Sequence, residues 1–173
     1  AFALGLYYRL YFDITLCNSY INDVGSDPMR LAEARFIRAY NYASVLDVFG
    51  AGPFCTSVSS ENAVYYNRKQ LFDFVESELL AIENQMAEPG KNTYGRADKV
   101  AVWLLLSRLY LNAEVYTGQE RNDDAMAYAT KVLNNGYYHL NLTGATNPAT
   151  GEKYSAYQML FLADNNSNGA QYE

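Results

Sequence analysis

The sequence predicts an all-α domain built from antiparallel helical hairpins. Five or six segments carry apolar residues at steps of three and four, which is the spacing of one helical face. Asp or Asn precedes several of these segments and Gly follows them, as expected at helix starts and ends. No segment alternates convincingly between apolar and polar residues, so we expect little or no sheet. The 173 residues suit a single domain with a sizeable core.

The composition argues against several classes of protein. The 13 basic and 19 acidic side chains give a net charge of −6 without any Lys/Arg cluster, so we expect no nucleic-acid partner. The longest uninterrupted apolar run, residues 100–106, is far shorter than the about 20 residues of a membrane span. Cys17 and Cys55 belong to no Cys/His cluster, so neither zinc nor Cys–His catalysis has support.

The first helix is predicted at residues 2–22, and the second begins after Asp27. Asp27 precedes Pro28, which places a capping residue before a proline at the first helical position. The second helix ends at Phe49-Gly50. Its contact face recurs at steps of four and three: Ala32, Phe36, Ala39, Ala43 and Leu46. Arg35, Arg38 and the later Arg108 lie on mostly buried helices, so we expect them to be paired in structural roles.

The third helix follows an irregular stretch at residues 51–67 and ends near residues 88–90. Its apolar stripe is Phe72, Val75, Leu79, Ile82 and Met86. Its carboxylates lie off that stripe, which predicts a solvated face rather than a catalytic pair: Asp73, Glu76, Glu78 and Glu83.

The fourth and fifth helices resemble one helix–turn–helix unit of the tetratricopeptide-repeat type. The fourth, at residues 97–116, is apolar nearly all round and ends at Gly118. The first-helix signature of the repeat is present as Trp103, Leu106, Ser107 in place of Gly, and Tyr110. Asn122 is expected to cap the fifth helix, in which small Ala125 and Ala129 allow close packing. Trp103 is accordingly predicted to be a core residue.

The chain after the fifth helix is predicted to be irregular. Tyr137-Tyr138 and His139 follow the helix exit at Gly136, and His139 has no neighbouring base or nucleophile, so a structural role is expected. A short apolar segment lies at residues 157–163, and residues 164–169 have turn-forming composition throughout.

Tyr65, Tyr66 and Asn67 form the first candidate binding site. Two adjacent aromatic residues in a polar loop cannot both face one core, so at least one ring is expected to be exposed. An exposed tyrosine can contact a flat ligand or a protein partner. Packing against the rest of the chain remains the alternative.

Asp164, Asn166 and Asn168 form the second candidate site. With Gly169 they match the opening of a calcium-binding loop, D-x-[DN]-x-[DN]-G. The acidic residue expected six positions after the glycine falls beyond Glu173, and a polar turn is the alternative. Calcium is therefore the one cofactor considered, in a structural role.

Several blocks of sequence, taken in order, resemble the SusD/RagB family of outer-membrane nutrient-binding lipoproteins. Residues 32–40 read AEARFIRAY and precede Phe49-Gly50 and Pro53; in the family the helix reads A-E-A-R-F-L-R-A-x-x-Y before F-G-x-x-P. Further matching blocks lie at residues 94–97, 105–111, 125–136 and 162–166. The ordered set covers the chain from about Leu6 onward.

This resemblance implies a non-catalytic protein that binds an oligosaccharide or polysaccharide, such as starch, at the cell surface. Its expected partner is a TonB-dependent, SusC-like outer-membrane transporter. The expected location is the outer membrane, as a surface-exposed lipoprotein whose lipid anchor lies outside this chain, because neither Cys17 nor Cys55 matches the lipidated cysteine of the family. The chain is expected to be the central helical-repeat portion of a longer protein. Some family members hold structural calcium, and Asp164 would be the first ligand.

Two other classes of function are weighed against this one. The runner-up is a tetratricopeptide-type scaffold that binds proteins or peptides without binding glycans. A carbohydrate hydrolase on helical hairpins would need two converging carboxylates, and no pair in the sequence has a persuasive setting.

Overall fold

The computed structural model describes residues 2–23, 27–58 and 63–173, and in these residues the chain is mainly helical. The helices are α1 (Phe2–Asp23), α2 (Pro28–Phe49), α3 (Arg68–Ile82), α4 (Lys99–Leu111), α5 (Ala113–Thr117), α6 (Asn122–Leu133) and α7 (Ala156–Met159). Two short antiparallel hairpins pair β1 (Gly52–Phe54) with β2 (Val64–Tyr66) and β3 (Ala145–Thr146) with β4 (Lys153–Tyr154). The 3₁₀ turns are Glu83–Gln85 and Ala170–Tyr172.

The long helices pack as hairpins, which confirms the predicted fold class. α1 packs on α2, α2 packs on α3, and α4 packs on α6. Helices of 22 residues joined by so few residues, as α1 and α2 are, make this contact only when they run antiparallel. Ile14, Val75 and Leu106 are fully buried, so one core runs through all the hairpins.

The predicted helix boundaries are largely confirmed. The Asp27 side chain accepts hydrogen bonds from the backbone N–H groups of Met29 and Arg30, and Gly50 ends α2 at a φ of 76°. Asn122, however, is not the cap of α6, because it is the first residue of the helix and Arg121 occupies the cap position. The fourth predicted helix is broken at Asn112, whose side-chain amide donates to the carbonyl of Arg108 and competes with helix continuation.

The polar face predicted for the third helix is wrong at Glu78. Glu78 is only 9% exposed, and its carboxylate accepts hydrogen bonds from Arg35 at 2.7 Å and from Arg38 at 2.6 Å. Burial alone would raise the pKa of Glu78, but the hydrogen bonds from the two guanidinium groups outweigh burial and hold that pKa below its ordinary value. The structural role predicted for Arg35 and Arg38 is confirmed.

Two further carboxylates of this segment also bind other helices. Glu76 accepts a hydrogen bond from the Tyr110 hydroxyl at 2.8 Å, and Glu83 accepts one from the Trp103 ring nitrogen at 2.8 Å. Trp103 is therefore half-buried at the edge of the core, with its polar edge satisfied, rather than fully enclosed. In the described part of the chain, no helix is both long enough and apolar enough to cross a membrane.

Candidate functional site

The β1–β2 hairpin carries the first candidate site. Tyr65 and Tyr66 lie in strand β2, not in an irregular loop as predicted, and successive side chains of a strand point to opposite faces. Tyr65 is 68% exposed. The ring of Tyr66 stacks on Phe54, with 3.9 Å between ring centroids and 8° between planes. Because neighbouring side chains of a strand point to opposite faces, one ring is exposed and the other is packed, as expected for this pair.

Asn67 has a structural task at the start of α3. Its side chain accepts the backbone N–H of Gln70 at 3.0 Å, and the Gln70 side chain accepts the backbone N–H of Asn67 at 3.0 Å, which forms a capping box. Tyr66 and Phe74 line a shallow groove of about 340 Å³ beside this cap. Tyr65 is therefore the more exposed of the two tyrosine rings. Ligand binding by Tyr65, Tyr66 and Asn67 stays a prediction.

The residues of the predicted calcium loop line two different clefts. Asp164 and Asn168 line a cleft beside β3 and β4, whereas Asn166 lines a different cleft. The amide nitrogen of Asn168 donates to Asp164 Oδ1 at 3.1 Å, and its amide oxygen accepts the N–H of Ala170 at 2.9 Å. Asn168 therefore turns its amide nitrogen, not its oxygen, toward Asp164, and it would have to reverse that amide to join Asp164 as a calcium ligand.

Groups of three or more His, Cys, Asp or Glu side chains that could hold a metal ion do not occur in residues 2–23, 27–58 and 63–173. Calcium binding by Asp164, Asn166 and Asn168 stays a prediction, which thermal melting with and without calcium checks. A midpoint that calcium raises in the wild type but not in Asp164→Asn would support the site. An unmoved midpoint would contradict it.

A second cleft was not predicted from the sequence. Its volume is about 380 Å³, and Tyr94, Tyr137, Tyr138 and Asn166 are among the residues that line it. For brevity we refer to it as the Tyr94 cleft.

Two glycine turns build the first wall of the Tyr94 cleft. The N–H of Lys91 bonds to the carbonyl of Glu88 at 2.9 Å, and the N–H of Arg96 bonds to that of Thr93 at 3.0 Å. The third residue of each turn is a glycine with positive φ, as type II turns require: 67° at Gly90 and 82° at Gly95. The second turn presents Tyr94, which is 56% exposed and whose hydroxyl donates to Asn165 Oδ1 at 3.2 Å.

The second wall of the cleft is formed by Tyr137 and Tyr138, which belong to an aromatic cluster. Tyr137 meets Tyr138 edge to face at 4.9 Å and Tyr172 at 5.2 Å, and His139 stacks on Tyr172 at 5.4 Å. The structural role expected for His139 agrees with this stacking. Tyr137 also lies against Gly90, where a β-carbon would stand only 2.4 Å from the Tyr137 ring.

One buried carboxylate joins the two walls. Asp98 is 3% exposed, and it caps α4 by accepting the N–H of Val100 at 2.9 Å. Its second oxygen accepts the N–H of Gly90 at 2.9 Å and the hydroxyl of Tyr138 at 2.8 Å. Burial raises the pKa of the Tyr138 hydroxyl, and the bond to Asp98 adds to the shift.

Arg96 is the cation of the Tyr94 cleft, and it is already paired. Its Nε donates to Glu33 Oε1 at 3.0 Å, and its Nη2 bonds the second oxygen of the same carboxylate. The hydrogen bonds from Arg96 hold the pKa of Glu33 below its ordinary value, and the Asn92 side chain adds a further bond.

Local signals for this cleft were present in the sequence. Pro89-Gly90 is a turn dipeptide, Gly95 is a further turn-forming residue, and Tyr137 and Tyr138 are adjacent aromatics. No sequence spacing shows that these segments meet, because the packing of α4 on α6 brings them together.

Comparison with known proteins places this architecture in a family. No family model matches the chain. The chain is 38% identical over 168 residues to the starch-binding protein SusD of Bacteroides thetaiotaomicron, an alignment that covers 94% of this chain and 28% of that protein. The chain belongs to the SusD family. It spans about a quarter to a third of the length of the relatives it matches.

Solved structures share the fold of this chain. A SusD-like carbohydrate-binding protein from Bacteroides fragilis superposes with a TM-score of 0.70 at 20% identity, over 83% of this chain and 29% of that one. A structure determined with a xylogluco-oligosaccharide superposes with a TM-score of 0.74 at 23% identity, over 95% of this chain and 33% of that one. These likenesses confirm the all-α hairpin architecture.

Proposed function

We propose that this protein binds an oligosaccharide or polysaccharide at the cell surface and catalyses no reaction on it. The observation that carries the proposal is the 38% identity to a starch-binding protein along 94% of the chain. The structure determined with a xylogluco-oligosaccharide, which shares the fold, supports the same class of ligand. Starch-type and xyloglucan-type glycans are therefore the first ligands to test.

The exposed chemistry of the chain suits sugars. A pyranose ring offers a flat C–H face for an aromatic side chain and many hydroxyl groups for amides, carboxylates and guanidinium groups. Tyr65 and Tyr94 are exposed rings on two separate surfaces, and Asn166 is an exposed amide. Sugar binding needs no activated nucleophile.

Two carboxylates of the third predicted helix have structural partners. Glu78 pairs with Arg35 and Arg38, and Glu83 pairs with Lys131. A glycosidase needs two carboxyl groups that flank one glycosidic bond. Incubation with oligosaccharides followed by a reducing-sugar assay should show no release, and a release that depends on the protein would contradict a purely binding role.

Affinity electrophoresis tests the binding function. Migration of the protein in native gels containing starch or xyloglucan should be slower than in gels without polysaccharide, relative to a non-binding marker. A tetratricopeptide-type scaffold that binds only proteins would migrate equally in all gels. That result would favour the scaffold function and contradict ours.

The proposed setting is the outer membrane, where the protein would act as a lipoprotein beside a TonB-dependent, SusC-like transporter, anchored outside this chain. Membership of the SusD family supports this setting. Purification of the tagged protein from native outer membranes, followed by mass spectrometry, should recover a TonB-dependent barrel. Recovery in the cytoplasmic fraction alone would contradict the proposed location and partner.

A further inference from the structure

The Tyr94 cleft has the size and the exposed groups of a ligand site outside the residues predicted from the sequence. Its volume of about 380 Å³ lies within the range of small-molecule sites in proteins. Two segments far apart in the chain line it, and each contributes an aromatic ring, Tyr94 from one and Tyr137 from the other.

The aromatic groups of the cleft are held in place before any ligand arrives. Tyr94 stands on a glycine turn and is tied by its hydroxyl to Asn165. Tyr137 rests on Gly90, and Asp98 fixes both Gly90 and Tyr138. Held side chains lose little conformational entropy on binding, which favours affinity.

Polar groups in the cleft remain available for hydrogen bonds. Within the described residues, the Asn166 side chain and the Tyr137 hydroxyl have no hydrogen-bond partner. Asn166 can both donate and accept, as can a tyrosine hydroxyl. Sugar hydroxyl groups have the same dual character, so each contact can form in either direction.

The charges of the cleft favour a neutral ligand. Arg96 has two of its guanidinium nitrogens on the carboxylate of Glu33, and Glu173 adds a carboxylate to the lining. The whole chain carries a net charge of −6. Among the described residues that line the cleft, a uronic acid or a sulfated sugar would meet the Glu173 carboxylate and only one cation, Arg96, which is already paired with Glu33.

We infer that the Tyr94 cleft is a carbohydrate subsite that takes a neutral pyranose unit, with Tyr94 stacking on the sugar and Asn166 bonding its hydroxyl groups. This inference rests on the proposed glycan-binding function and names a ligand class and a place for it. It is separate from the Tyr65 surface on the β1–β2 hairpin.

Affinity electrophoresis of variants tests the inference, with starch and xyloglucan as neutral polysaccharides and polygalacturonate as the acidic one. Tyr94→Ala and Asn166→Ala should each weaken binding to a neutral polysaccharide by about tenfold, the loss expected for one stacking or bonding contact. Tyr94→Phe should bind nearly as the wild type does, because it keeps the ring. Tyr8→Ala removes an exposed tyrosine of α1 and should leave binding unchanged. Melting midpoints confirm that each variant is folded.

Different results count against different claims. If the wild type binds neutral polysaccharide and neither Tyr94→Ala nor Asn166→Ala weakens it, the subsite is wrong and the proposed function stands. Loss of binding in Tyr65→Ala together with that result would place the sugar on the hairpin instead. Tighter binding to polygalacturonate would overturn the neutral ligand class. A wild type that binds none of the three polysaccharides would overturn the proposed function itself.

Discussion

The helical part of the chain, at residues 2–133, and the C-terminal segment, at residues 134–173, are held together by different interactions. The helical part contains nearly all of the buried apolar side chains, such as Ile14, Leu79 and Leu106. The structure describes every residue from 134 to 173, and in this segment the buried apolar side chains are Met159 and Ala170. Asparagine side chains bonded to the backbone shape much of the C-terminal segment instead: Asn135, Asn141, Asn147 and Asn168.

The difference shows how irregular loops can be held in shape beside a packed layer of helices. Side chain–backbone bonds hold loops in shape while leaving their outer surface polar. The C-terminal segment joins the helical part through a few polar ties, among them Tyr138 to Asp98 and Tyr94 to Asn165. We expect it to open at a lower free energy than the helices do.

The largest effect is expected from removing the buried carboxylate of the helical part. Glu78→Ala leaves Arg38, which is only 5% exposed, without its counter-charge. Breaking a buried pair in this way should lower the free energy of unfolding by about 3–5 kcal/mol. Urea denaturation at neutral pH measures the change.

Glu114→Ala is the matched control, because Glu114 is exposed on α5. Its effect should stay within about 0.5 kcal/mol, as for most surface substitutions. Equal losses in the two variants would mean that the Arg35–Glu78–Arg38 group contributes nothing beyond a surface charge.

The helical part was predictable because its signals are periodic and local. Apolar stripes at steps of three and four located the long helices, and Asp27, Gly50 and Gly118 marked boundaries that the structure confirms. Asn122 was misplaced by one position because Asn is favoured at a cap and also tolerated in the first turn.

Tertiary pairing is what the sequence left undetermined. A helical wheel shows that Glu78 lies off the apolar stripe of α3, but it does not show that α2 places Arg35 and Arg38 against that face. The Tyr94 cleft was missed for the same reason, since its walls lie more than 40 residues apart in the chain. Tyr65 was found because the neighbouring-aromatic argument is local.

The next largest effect is expected at the carboxylate that joins the two parts. Asp98→Ala removes the cap of α4 and leaves the half-buried Tyr138 hydroxyl and the Gly90 N–H without their acceptor, so it should cost about 2 kcal/mol. Asp27→Ala removes a cap alone and should cost about 1 kcal/mol. Amide hydrogen exchange should also rise in residues 134–173 of Asp98→Ala. Unchanged exchange there would show that Asp98 does not hold the C-terminal segment.

A similar loss of stability is expected when a methyl group is added at Gly90, where the helical part meets the C-terminal segment. Gly90→Ala combines a positive φ with a β-carbon that meets the Tyr137 ring, and it should cost about 2 kcal/mol. Gly95→Ala has a similar φ and open space around its β-carbon, so it should cost about 1 kcal/mol. Thermal melting of both variants isolates the effect of the clash with Tyr137. Equal losses of stability in the two variants would mean that the clash costs nothing.

The smallest effect is expected in the pH dependence of stability, through Glu83 of the helical part. Burial alone would raise the pKa of Glu83, but hydrogen bonds from Lys131 and Trp103 outweigh it, so the folded pKa lies below the ordinary value of 4.5. As pH falls below that ordinary value, the unfolded chain takes up the proton first, so the contribution of Glu83 to stability is present above it and is lost as pH falls through the folded pKa. Glu83→Gln cannot titrate, and its unfolding free energy should therefore fall less steeply with acid than that of the wild type. Identical slopes would mean that Glu83 titrates alike in the folded and unfolded chain.

Because Glu83 binds α4 and α6 but not residues 134–173, hydrogen exchange in the C-terminal segment should be the same in both proteins at each pH.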